Sequence, residues 1–248
     1  MSFNALVLAG SRGGVDPVAL YAGVSDKALI RIDGETMLAH VVATLRAAGA
    51  GRIAVSASSV AVKDHAAELG TEVLDADAGP SLSTRSGLDR LGAPLLVTTA
   101  DHALLDPAWI RQFLDDVPHD ADVSALLARR ESVERDAPAT RRTYLRFDDG
   151  DWSGCNLFFC ATPAARAAID LWRAVEQDRK RPWRIVRRLG PAMLVRYLTR
   201  RLSLSAAVAA LGQAAGVRAA IVESRFGLAA VDVDKPADLD LVRAMQER

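Results

Sequence analysis

Apolar runs and helically spaced apolar positions alternate along the first half of the chain. Ala5-Leu6-Val7-Leu8-Ala9 is continuously apolar and closes on Gly10, as expected of a strand buried on both faces. Over residues 36–48, Met37, Leu38, Val41, Val42 and Leu45 follow a helical period, which Gly49 or Gly51 can end. Residues 52–56, 72–75 and 94–99 read as further strands, with helices over 60–69 and 81–91 between them. This alternation with short connections predicts a three-layer α/β/α fold around a mostly parallel, Rossmann-like central sheet. Ligands bind such sheets beyond the carboxyl ends of the strands, so residues 8–12, residues 79–83 and Asp101 are expected on one rim.

The pattern changes past about residue 120. Val123-Ser124-Ala125-Leu126-Leu127, Tyr144-Leu145-Arg146-Phe147 and Asn156-Leu157-Phe158-Phe159 read as strands, with the turn-rich Asp148-Asp149-Gly150-Asp151 between the last two. Two or three helices follow over residues 163–211, then returning strands over 217–222 and 228–233 and a closing helix over 237–246. No repeat or low-complexity linker is visible, and residues 1–248 are expected to form a single domain.

The 248 residues carry 31 Lys and Arg against 31 Asp and Glu. A zero total argues against a nucleic-acid binder, which needs a basic excess over phosphate. Residues 171–201 depart from that balance. Arg173, Arg179, Lys180, Arg181, Arg184, Arg187, Arg188, Arg196, Arg200 and Arg201 face only Glu176 and Asp178 there, so this segment is +8 and the remainder −8. Trp172, Trp183, Ile185, Val186, Leu189, Met193, Leu194, Val195, Tyr197 and Leu198 interleave with them. Such a segment lies on an anionic membrane, grips a phosphorylated substrate, or forms surface helices with solvated or paired arginines. Cys155 and Cys160 make neither a disulfide framework nor a CxxC and are read as core residues. Neither a basic-led export segment nor an uninterrupted apolar stretch of about 20 residues is apparent. A cytoplasmic protein is expected, peripheral to the inner face of the membrane if the basic segment meets lipid.

Candidate chemistry starts at Leu8-Ala9-Gly10-Ser11-Arg12-Gly13-Gly14, directly after the first strand. Glycines let backbone amides approach an anionic phosphate, and Arg12 adds a cation. The loop is neither a Walker A sequence nor a GxGxxG fingerprint. Lys27, in Ser25-Asp26-Lys27-Ala28-Leu29, is one of four lysines beside 27 arginines. Asp101 leaves a buried strand at the rim, as a Mg²⁺ ligand on phosphate oxygens or as a turn or capping aspartate. In Val231-Asp232-Val233-Asp234-Lys235-Pro236, two same-facing acids precede a proline-started helix. Asp234 is open to a capping role, leaving Asp232 as the stronger metal partner.

Together these residues resemble the MobA-like NTP transferases, the molybdenum-cofactor guanylyltransferase and cytidylyltransferase group built on the glycosyltransferase-A fold. The likeness rests on Leu8-Ala9-Gly10-Ser11-Arg12, on Lys27-Ala28-Leu29 with Gly34, Met37 and Leu38, on Asp101, and on Asp232-Val233-Asp234 with Pro236, Asp238 and Leu239. Arg12 stands two positions earlier than in the family pattern. Seventeen positions separate Gly10 from Lys27, and residues 16–23 in that longer stretch read as a mobile lid.

The resemblance implies transfer of a nucleoside monophosphate from an NTP, CTP or GTP favoured, to a phosphorylated acceptor. Pyrophosphate leaves, and Mg²⁺ is required. Asp101 and Asp232, with Asp234 as a substitute, would hold the metal. Arg12 and the amides around Gly10, Ser11, Gly13 and Gly14 would steady the phosphates, while Lys27 offsets developing charge. Leu8, Ala9 and Gly10 would pass close to the base; Ser83, Arg85 and Ser86 sit where relatives contact base or ribose. Asn156 matches an acceptor-contacting position. Residues 1–120 are then a nucleotide half. Residues 121–248 become an acceptor half with a basic helical insert at about 163–212, taking a phosphorylated small-molecule or lipid-linked acceptor. Two rivals stand beside this reading. One is a glycosyltransferase of the same fold, whose usual D-x-D is replaced here by Asp101-His102-Ala103; the other is a nucleotide-binding protein without turnover.

Overall fold

The structure is a computed structural model that describes residues 2–11, 13–177 and 190–246. Arg12 lies outside the described residues. So does 178–189 of the basic segment, with Asp178, Arg179, Lys180, Arg181, Trp183, Arg184, Ile185, Val186, Arg187, Arg188 and Leu189. In chain order the strands are β1 (Phe3–Ala9), β2 (Arg31–Ile32), β3 (Glu35–Thr36), β4 (Ala50–Ala57), β5 (Glu72–Asp75), β6 (Leu95–Thr99), β7 (Val123–Arg129), β8 (Leu145–Phe147), β9 (Gly150–Cys160) and β10 (Ala219–Glu223). The described helices are α1 (Pro17–Ala22), α2 (Met37–Ala47), α3 (Val60–Glu68), α4 (Pro80–Leu91), α5 (Pro107–Asp116), α6 (Arg130–Asp136), α7 (Ala165–Gln177), α8 (Pro191–Leu198), α9 (Leu204–Ala215) and α10 (Pro236–Gln246).

Seven strands run in the order β10-β7-β9-β6-β1-β4-β5, with β8 added on β9. Every pairing in this sheet is parallel except those of β9, which is antiparallel to β6, β7 and β8, and β2 and β3 form a separate antiparallel pair. The sheet is covered on both sides because β1 is apolar on both faces from Ala5 to Ala9. Phe3, Ala5 and Val7 meet Leu38, Val41, Val42 and Leu45 of α2 and Phe113 of α5. On the opposite face Leu6 packs with Leu88 and Leu91 of α4 and Ile169 of α7. A Cβ on Gly87 would stand 2.5 Å from Leu6 Cδ2, so a glycine is needed for this approach of α4 to β1. The three-layer, mostly parallel expectation holds.

Two local expectations do not. Residues 228–233 form no strand: a 3₁₀ turn spans Gly227–Ala230, and Val231 and Val233 continue outside any ladder. Their apolar side chains are buried by packing instead, Ala229 and Ala230 in the main core and Val231 and Val233 beside Leu239 and Val242 of α10. Residues 16–23 are not a free lid. Asp16 accepts from the Val18 and Ala19 amides, Gly23 closes α1 at φ 71°, and Val18 and Ala19 are buried. The Tyr21 hydroxyl donates to Asp240 Oδ1 at 3.1 Å, fastening α1 to α10. Among the described residues no helix is long and apolar enough to cross a membrane.

Candidate active site

The carboxyl ends of β1, β4, β5 and β6 share one edge because these strands are mutually parallel. Gly10 continues β1 into a narrow place, where a Cβ would stand 3.0 Å from Ala76 Cβ. The Ser11 amide donates to Ser58 Oγ at 3.1 Å. Gly13 and Gly14 take φ values of 78° and 85° with nothing near their absent Cβ positions, so the backbone conformation favours glycine and their outer face is open. Leu8 and Ala9 end the strand half-exposed at this edge.

Ser83 and Ser86 hold the neighbouring loop. Buried Ser83 accepts from the Asp77 amide at 2.9 Å, and the Ser86 hydroxyl donates to Asp77 Oδ2 at 2.8 Å. Arg85 is instead paired with Asp170 of α7 at 2.7 Å and Asp89 at 3.5 Å.

β6 carries the first acid. Its end is tied to β1 by the Ala100 amide donating to the Leu8 carbonyl, and Asp101 follows. Lys27, in a single 3₁₀ turn at Lys27–Leu29, donates from Nζ to Asp101 Oδ2 at 2.5 Å and lies 3.5 Å from Asp234. Asp101 Oδ1 is buried with no hydrogen-bond partner. The Val233 amide donates to the Asp101 carbonyl at 3.1 Å, which lays residues 232–234 alongside. One carboxylate oxygen each of Asp101, Asp232 and Asp234 then lies within 4.8 Å of the others. Asp234 does not cap α10 with its side chain. Asp238 takes that duty, accepting from the Asp234 and Lys235 amides at 3.1 and 3.2 Å, and Asp234 is left at the rim.

The acids differ in environment. Burial pushes the Asp101 carboxyl up, but the charge and hydrogen bond of Lys27 outweigh it and hold Asp101 below the usual carboxylate range. For Lys27, burial works against the charged form and loses to Asp101, Asp234 and Asp16, so the ammonium titrates above its ordinary value. Asp232 is raised, first by burial and then by the Asp101 charge, with Arg142 opposing. Its Oδ2 accepts from Asn156 Nδ2 at 2.6 Å, its Oδ1 accepts from Arg142 Nη2, and its carbonyl accepts from Arg142 Nη1 at 3.3 Å. Asn156 adopts φ 50° beside a register shift between β7 and β9, a conformation few residues other than glycine and asparagine take.

Arg142 is thus part of this site although no motif pointed to it; the only signal is the basic pair Arg141-Arg142 ahead of a strand. His102 is buried, tilted against Trp109 with ring centroids 5.9 Å apart, so it offers no second acid or its substitute beside Asp101. Cys155 and Cys160 are buried in the core, and burial pushes the Cys160 thiol up to about 12, which leaves no thiolate near neutral pH.

Residues 5–223 match the MobA-like NTP transferase domain. The chain belongs to that family. This MobA-like protein is therefore a nucleotidyltransferase, and the glycine loop, Lys27 and Asp101 fall within the matched span while Asp232 and Asp234 lie beyond it. A hypothetical transferase from Thermus thermophilus is 30% identical with a TM-score of 0.81, over 96% of this chain and 100% of that one. A CMP:2-keto-3-deoxy-manno-octonic acid synthetase complexed with CTP matches with 15% identity and a TM-score of 0.61, over 100% and 99%. CTP:phosphocholine cytidylyltransferase from Streptococcus pneumoniae matches with 12% identity and a TM-score of 0.58, over 98% and 99%. These last two share the fold. No curated protein matches the chain.

Proposed function

We propose that this MobA-like nucleotidyltransferase moves a nucleoside monophosphate, cytidylate first among the candidates, from its triphosphate to a phosphorylated acceptor with Mg²⁺. The meeting of Asp101, Asp232 and Asp234 beside Lys27 carries this reading. Three carboxylate oxygens within 4.8 Å, together with a buried Asp101 oxygen that lacks a hydrogen-bond partner, fit a hard divalent cation. Asp101 and Asp232 would hold it, with Asp234 as a third or substitute ligand. Bound there, Mg²⁺ would neutralise α-phosphate charge as the reaction proceeds.

An acceptor phosphate oxygen forms a bond to the α-phosphorus while the bond from that phosphorus to the bridging α,β-oxygen breaks. The electron pair of that bond leaves on pyrophosphate. An acceptor phosphate is already nucleophilic near neutral pH, so the chain supplies positions and charge rather than a general base. In this reading the loop of Gly10, Ser11, Arg12, Gly13 and Gly14 receives the β- and γ-phosphates. Leu8 and Ala9 border the base, and Ser83 and Ser86 shape the loop beneath base and ribose. Lys27 turns from Asp101 toward the charge developing on phosphate. Asn156, its amide nitrogen already committed to Asp232, keeps its carbonyl oxygen for the acceptor side.

CTP is placed ahead of GTP because two neighbours in fold are named for CTP or its use. The basic segment supports an anionic, lipid-linked acceptor or a peripheral membrane contact. In its described part α8 exposes Val195 and Leu198 beside Arg196, with exposed Arg200 and Arg201 just beyond. Flotation with anionic vesicles checks that partner, and loss of flotation on charge reversal of Arg184, Arg187 and Arg188 is expected.

The test of the reaction is a thermal-shift panel of the four NTPs with Mg²⁺, followed by pyrophosphate release against phosphorylated acceptors. CTP should raise Tm most, and Asp101→Ala should abolish release. Stabilisation by nucleotide sugars alone would return the glycosyltransferase reading, and binding without release would favour a sensor.

A further inference from the structure

Asp232 is held more firmly than an ion pair requires. Both of its carboxylate oxygens accept a hydrogen bond, Oδ1 from Arg142 and Oδ2 from Asn156, and Arg142 also reaches the carbonyl of the same residue at 3.3 Å. One guanidinium thus spans backbone and side chain of Asp232 and fixes the carboxylate's direction. Arg142 and Asp232 are about nine-tenths buried, and Arg142 keeps this position although its Nε has no partner. Asn156 reaches the second oxygen from a left-handed backbone, a strained conformation that persists where surroundings impose it. Residues 137–144, which carry Arg142, belong to no helix or strand; the Lys235 ammonium donates to the Arg141 carbonyl at 3.2 Å, tying this stretch to the turn that carries the acids.

A carboxylate oxygen has two lone pairs. The Arg142–Asn156 clamp uses one on each Asp232 oxygen and leaves one on each, beside Asp101 and Asp234. We propose that Arg142 is a positioning residue that, with Asn156, presents Asp232 to a divalent cation in the acid cluster. This rests on the reading above that the cluster holds metal. Partners behind a metal ligand orient it, and their loss commonly weakens metal binding by about 10- to 100-fold. The clamp also explains how Asp232, buried against two other acids, stays in the cluster at all: Arg142 supplies the counter-charge from behind.

The experiment measures Mn²⁺ binding by electron paramagnetic resonance, with and without CTP, for wild type, Arg142→Lys, Arg142→Ala and Asp232→Asn. Arg142→Ala should weaken Mn²⁺ binding about tenfold or more. Arg142→Lys, which keeps charge but loses the fork, should fall between it and wild type. In the Asp232→Asn background, Arg142→Ala should add no further loss. Circular dichroism checks folding; if Arg142→Ala does not fold, Arg142→Lys carries the comparison. Unchanged Mn²⁺ affinity in folded Arg142 variants overturns the proposal, as do losses that add independently to Asp232→Asn. Absence of Mn²⁺ binding by wild type overturns it too. Because this readout needs no turnover, a failure of every NTP to release pyrophosphate sinks the proposed reaction separately.

Discussion

Lys27 holds together a cluster that would otherwise repel itself. Its ammonium lies 2.5 Å from Asp101 and 3.5 Å from Asp234, and a divalent cation would compete for the same oxygens. Lys27→Met should therefore lower Tm in metal-free buffer, enlarge the Tm gain on adding Mg²⁺, and reduce pyrophosphate release by about 100-fold or more. Next to Asp101, burial pushes the His102 imidazole down to about 4 from an ordinary 6.5. The unfolded chain takes up this proton as pH falls below about 6.5, while the folded chain resists until about 4, so stability drops across that window. The slope is at most roughly 1.4 kcal/mol per pH unit. Urea titrations at pH 7 and pH 5 should show a smaller difference for His102→Leu than for wild type. The chain announces most of these residues. Asp101 ends an apolar run, Asp232 and Asp234 precede a proline-started helix, and Lys27 is rare among arginines. Arg142 has no such setting: it meets Asp232 across 90 positions, a contact only the folded chain creates.

At the scale of elements, the clearest departure is the approach to the acids. An apolar run such as 228–233 looks the same whether its side chains are buried in a sheet or under helices, because only the position of the backbone partners differs. Here the run begins with Gly227, whose absent Cβ would collide with the backbone of Ser132 and Val133, and whose amide donates to Asp136 Oδ2 at 2.7 Å. That close pass under α6 takes the chain off the sheet and delivers it to Asp101. Gly227→Ala should cost about 1–3 kcal/mol by urea unfolding and should also blunt the Mg²⁺ response, because the turn sets where Asp232 and Asp234 stand. A purely local clash would spare the metal response. The α1 helix is missed in the sequence for another reason, its residues reading there as a lid. Asp16, Pro17 and Gly23 are start and stop residues, but six residues are too few for periodicity to show. The longer elements, from β1 to α4, carry enough repeats of their pattern to be read directly.

Across the whole molecule, the site is assembled from both ends of the chain. Lys27 and Asp101 come from the first half, Arg142, Asn156, Asp232 and Asp234 from the second. If residues 1–248 fold as one cooperative unit, urea unfolding followed by Trp fluorescence and by circular dichroism should give coincident single transitions. Separate transitions would argue for two independent units. The parallel sheet was readable from alternation, but the place of β9 was not, since its direction is decided by a return path rather than by its own apolar residues. That place has a mechanical result. Phe158, Phe159 and Cys160 are bonded to β6 on one side and β7 on the other. Among the described residues, swinging β7 away from β6 would therefore unzip a ladder in the buried centre of the sheet. Under the proposed reaction, substrates are then expected to enter and leave over the loops at the strand ends, with the sheet beneath them kept continuous by β9.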